Sequence, residues 1–160
     1  MPNTDNAHGF TYDASVSRPI PILETGLLAI SQTIAKGDAL VFSGGQLSIA
    51  LSNSGAIHGV AAEAKVTTGA ATDTIQYIPA TLDNFFSAQC SGSYSSASHD
   101  FVPCDIEGAT GIMEVNENAT TEGVFCITGM VNDGKNAEGT NARVRGYFIR
   151  STYCPVLAAK

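Results

Sequence analysis

A chain of 160 residues, 44% of them hydrophobic, is long enough to bury a core without help from a metal or a disulfide, and too apolar to be disordered. Only 14% of its residues are charged, against about 25% in an ordinary soluble domain, and Ser, Thr, Ala, Gly and Asn fill the gap. The net charge of −7, with eight Lys and Arg in all, argues against the clustered basic surface that nucleic-acid phosphates require.

The opening Met1–Phe10 has neither a basic region nor an apolar run, so the expectation is synthesis and folding in the cytoplasm. No stretch approaches the roughly 18 apolar residues of a membrane helix, and no membrane partner is expected. Residues 1–20 are polar, with Phe10, Tyr12, Val16 and Ile20 as their only bulky side chains, and neither a helical nor a strand period persists there. They predict an extended N-terminal arm, either frayed or laid along a partner, with Phe10 and Tyr12 as its anchors.

From Ile22 onward the punctuation is that of short strands. Residues 38–43 and 46–51 flank Gly44-Gly45, which predicts a β-hairpin because primed turns need positive φ. In its second strand Leu47, Ile49 and Leu51 fall on one face. Further strands are expected over 57–64 and over 74–78, the latter stopped by Pro79. Residues 82–90 fit two readings, a helix capped by Thr81 or a strand through Phe86, Ala88 and Cys90. A serine-rich loop over 91–100 follows, then strands over 112–115, 123–131 and 142–150, the last two joined by a polar hairpin loop over 132–141. Short strands with frequent turn signals predict an all-β fold, a small barrel or sandwich. The expected organisation is the arm over 1–20 and a β-rich domain over 21–160, with sub-lobes over 22–80 and 81–157.

Charge is uneven along the chain. Residues 141–160 hold Arg143, Arg145, Arg150 and Lys160 and no acid, so the rest carries −11 of the total −7. This is either a solvated last strand or a basic patch that meets an acidic neighbour. If Val144 and Phe148 point inward, Arg143, Arg145, Tyr147 and Ile149 share the outer face, a set of side chains common at interfaces. Cys90, Cys104, Cys126 and Cys154 form no C-x-x-C pair and have no His at zinc-ligand spacing, so free buried thiols are expected. His58 alternates with Ile57 and Gly59 and reads as a packed or surface histidine. No nucleophile elbow, zinc-protease helix or phosphate loop is present, so neither an enzyme nor a cofactor is expected.

The opening Asn3–Phe10, the stretch Ile34-Ala-Lys-Gly-Asp-Ala-Leu-Val-Phe42, then Ile57-His-Gly-Val-Ala61 and Tyr77-Ile-Pro-Ala80, and the closing Arg143–Ile149 together resemble the head-decoration, or capsid-cement, proteins of tailed bacteriophages. The resemblance covers residues 3–80 and 123–150. It implies a virion structural protein on the outside of an icosahedral capsid that stabilises the shell, with the major capsid protein and further copies of itself as partners. Trimers are foremost, with dimers at local symmetry axes as the other form. The competing expectations are another virion subunit, such as a tail tube, fibre or connector, and a surface-filament or glycan-binding β protein.

Overall fold

The computed structural model describes residues 3–67 and 72–152. In chain order the strands are β1 (Thr11–Ser15), β2 (Glu24–Leu27), β3 (Thr33–Ile34), β4 (Ala39–Ser43), β5 (Gln46–Ile49), β6 (Gly59–Ala61), β7 (Lys65–Val66), β8 (Thr74–Pro79), β9 (Asn84–Gln89), β10 (Ser93–Tyr94), β11 (Pro103–Glu107), β12 (Glu114–Asn116), β13 (Phe125–Met130), β14 (Gly139–Thr140) and β15 (Arg143–Phe148). One short helix, α1 (Ser96–His99), precedes β11. The fold is an all-β sandwich. One sheet has the order β1-β9-β15-β13-β11-β12, the other β2-β8-β6-β4-β5, and β3-β7 and β10-β14 form two small ribbons.

Each large sheet curls until distant parts of it meet at a single parallel bridge, Cys90↔Val115 in the first and Leu28↔Leu47 in the second. Neither closes into a barrel. The five-stranded sheet lies wholly within the expected sub-lobe over 22–80. The six-stranded sheet takes its other five strands from 81–157 and borrows β1 from the N-terminus.

Between the sheets lies the main core, centred on four phenylalanines. Phe10 packs on Phe125 and Phe148 with ring centroids 5.4 and 5.1 Å apart, and Phe148 also meets Phe86 at 5.5 Å. The smaller sheet contributes Ala39, Val60 and Ile78 to this core. Its other face encloses a second cluster of Leu28, Ile34, Leu40, Leu47, Ile75 and Tyr77. Asp38 joins the sheets' loops: its two carboxylate oxygens accept the Ala35 N–H at 2.8 Å and the Gly111 N–H at 2.7 Å. Burial raises this carboxyl above its ordinary range, and the two N–H donors oppose the rise.

The predicted hairpin is β4–β5, with Ser43 opposite Gln46 and Gly44 and Gly45 at φ 59° and 85°. Its second strand ends two residues early. Ala50 turns into the core and donates its N–H to Ala39, which breaks the alternation and leaves Leu51 62% exposed. Of the two readings of 82–90 the strand is correct. Phe86, Ala88 and Cys90 are buried because β9 is paired on both sides, by β1 and β15, and that ladder outweighs local helical spacing. The strand over 57–64 shrinks to β6, and β11 is not among the strands the sequence predicts, because Pro103 and Asp105 interrupt its apolar pattern. The serine loop holds β10 and α1.

The N-terminal segment is not a free arm but packs on its own chain. Phe10 is 2% exposed and sits in the core of its own subunit. Its N–H donates to the Gly37 carbonyl at 2.8 Å, and β1 pairs with β9. Gly9, at φ 78°, lies so close to Gly37 that a Cβ would come within 2.6 Å of the Gly37 carbonyl oxygen. Asn3 clasps the loop before β15, donating to the Ala137 and Thr140 carbonyls and accepting the Ala137 N–H. A lone aromatic in a polar stretch has no sequence period, so only the tertiary packing reveals where it goes.

Phe10→Ala is therefore expected to cost about 3–5 kcal/mol of unfolding free energy in a urea titration. Deleting residues 2–17, which removes both Phe10 and β1, should abolish the cooperative transition.

Candidate interface

Strand β15 has a strict alternation. Val144 and Phe148 are fully buried, which turns Arg143, Arg145 and Tyr147 to the outer face of the six-stranded sheet, as the sequence predicts. Ile149 lies just past the strand, where its N–H donates to Val124. On the neighbouring strand β9, Phe86 and Ala88 face inward and Phe85 faces outward. The Arg145 guanidinium lies 4.6 Å from the Phe85 ring centroid, and Phe85 meets Tyr147 edge-on at 5.5 Å. The result is a half-exposed Arg145–Phe85–Tyr147 stack built on rigid strands. Phe85 was missing from the sequence-predicted set. The signal was present, since the strand reading of 82–90 places it opposite Phe86.

The arginines have partners within the chain. Arg143 pairs with Asp133 at 3.0 Å, and Arg145 Nε lies 2.5 Å from Asp13 Oδ2. All four side chains are more than a third exposed, so each pair contributes at most about 1 kcal/mol. They do neutralise much of the expected basic strand, whose Lys160 lies outside the described residues. The other two predicted contact residues are elsewhere. Phe10 is in the core, and Tyr12 is on the inner side, edge-on to Phe86 at 6.3 Å, with its hydroxyl buried and unpartnered.

His58 is a packed histidine. Its ring stacks on Phe42 at 4.9 Å and heads a polar chain at the mouth of the smaller sheet. The Tyr77 hydroxyl donates to Glu24 at 2.8 Å, so its oxygen accepts from His58 Nε2 at 3.0 Å. That leaves Nδ1 to accept the Thr152 hydroxyl, the arrangement of a neutral ring. Burial depresses the His58 pKa, while Glu24 works in the opposite direction. A depressed value means the unfolded chain takes up the proton first, so this stabilisation is present above the ordinary histidine range and lost as pH falls through it. Thermal melts between about pH 5 and 8 should show a smaller loss on acidification for His58→Gln than for the unaltered chain.

Cys90, Cys104 and Cys126 are buried free thiols, and Cys154 lies outside the described residues. Burial is the main cause that pushes all three thiols up, Cys104 to about 12. Protonated thiols of this kind are poor nucleophiles. Among the described residues, no group of three or more His, Cys, Asp or Glu is placed to hold a metal ion, and no helix is long and apolar enough to cross a membrane. No family model matches the chain, and no curated protein matches it.

A thiol reagent should react slowly with the native protein and label four free thiols once it is unfolded without reductant. Fewer than four on unfolding would show that cysteines have paired.

Proposed function

We propose that this protein is a non-enzymatic virion subunit that binds the outer surface of a tailed-phage capsid and reinforces the shell. The observation that carries the reading is the Arg145–Phe85–Tyr147 stack. Arginine and aromatic side chains dominate the energetic centres of protein interfaces, and here they stand on a sheet that needs no rearrangement to present them. The strand that carries two of them, Arg143–Phe148, is also the closing segment through which the sequence resembles capsid-cement proteins. A surface low in charge suits a subunit packed among neighbours, since little ionic desolvation opposes contact.

Because Arg143 and Arg145 already have carboxylate partners, attachment rests on stacking and burial more than on a bare positive patch. Salt should change it only modestly.

The test is cosedimentation of the purified chain with expanded, undecorated capsids. Saturable binding and a higher rupture temperature of the shells are expected. Tyr147→Ala and Phe85→Ala should each cost about 2 kcal/mol of attachment while leaving the fold intact. Shells that take up no protein, or variants that bind as the original does, would reject the proposal.

A further inference from the structure

Where the N-terminal segment crosses the smaller sheet, a cavity of about 500 Å³ opens between the two sheets. Phe10, Leu23, Val60, Ala62 and Ile78 give it a largely apolar wall. Small residues keep it open. Gly37 takes φ 94° beside the N-terminal segment, where a Cβ would come within 2.9 Å of the His8 carbonyl oxygen, and Ala62 offers only a methyl group. A concave pocket of this size and lining suits a small molecule, whereas a protein partner needs a broad face.

Polar groups are few in this wall. Tyr12 contributes to it and carries a buried hydroxyl with no partner within the chain. A buried O–H left unpaired costs stability, so one that is retained calls for an acceptor from outside the chain. Lys36, exposed at the opening, brings an ammonium. The ion pairs of the described residues engage Arg143 and Arg145, which leaves Lys36 without a carboxylate partner among them. No Asp or Glu lines the cavity, although the chain carries −7. The polar groove beside Lys135 holds Asp133, and the shallow one beside Arg18 holds Glu24 and Asp83. Those two grooves supply their own anions; this cavity does not.

We infer that the cavity binds a small monocarboxylic acid with an apolar body, its carboxylate accepting from the Lys36 ammonium and the Tyr12 hydroxyl. An ionised carboxylate has only acceptors, which answers both donors with one group. A neutral alcohol leaves the ammonium unanswered, and an amine meets it as a like charge. The acid's apolar body touches Phe10 on one side and Val60 and Ile78 on the other, so the bound molecule ties the N-terminal segment to the smaller sheet. Binding then stabilises the fold by mass action.

Titration of the isolated chain tests this apart from the capsid reading. Octanoate is the probe, added calorimetrically to the purified protein, with octanol and octylammonium as its neutral and cationic counterparts. Octanoate should bind saturably, one molecule per chain, and raise the thermal melt. The alcohol should bind at least about tenfold more weakly, and the amine more weakly still. Lys36→Gln should weaken octanoate by about tenfold and leave the alcohol unchanged. Tyr12→Phe should weaken it similarly, while the ligand-free melt holds or rises because the orphaned hydroxyl is gone. Ala62→Leu, which fills the cavity, should abolish binding, and Ala62→Val takes its place if the leucine variant does not fold. Octanoate that fails to bind at millimolar concentration, an alcohol that binds as well as the acid, or Lys36→Gln and Tyr12→Phe variants that bind as the original does would overturn the assignment. So would binding that survives in a folded, cavity-filled Ala62 variant, since the acid would then sit elsewhere.

Discussion

The architecture depends on the burial of Phe10 against Phe125 and Phe148. One ring from the N-terminal segment reaches the space between the sheets and touches aromatics of both β13 and β15. Ring pairs at these separations add about 0.5–1.5 kcal/mol each beyond their buried area. With Phe10 in place, Gly9 lies against Gly37 and β1 falls into register with β9. The sixth strand of the larger sheet, and the path of residues 3–9 before it, follow from that one side chain.

The outer surface inherits its order from the same core. Strand β15 runs between β9 and β13, and burial of Val144 and Phe148 leaves no freedom over which residues face out. Arg145 then stands beside Phe85, one strand across. Asp13, brought in by β1, reaches the Arg145 guanidinium. In the proposed role the ion pair would hold the guanidinium over the ring, so that the contact face is organised before any partner arrives.

The connector between β1 and β2 shows what the sandwich leaves undone. A chain that must pass from the edge of one sheet to the edge of another cannot bury its side chains on either, and this one carries Ile20, Ile22 and Leu23 on that path. Leu23, at its end, lines the gap between the sheets that Gly37 and Ala62 are too small to fill. Tyr12 lines the same gap, and no group of the chain accepts its buried hydroxyl.

Much was legible in the residue order, and the reason is local. The Gly44-Gly45 hairpin follows from the φ angles that only glycine adopts freely, and the inward and outward faces of β15 follow from a period of two that burial enforces. The all-β class and the burial of Cys90, Cys104 and Cys126 follow from local patterns of the same kind. What the residue order left open were the long-range pairings. The choice between helix and strand over 82–90 was made by β1 and β15, which lie far away in sequence. Whether Phe10 anchors a partner or its own core was decided by Phe125 and Phe148, and whether Arg143 and Arg145 form a basic patch by Asp133 and Asp13. A local pattern specifies which face a side chain takes; only the closed tertiary structure, by bringing distant segments together, specifies what that side chain meets.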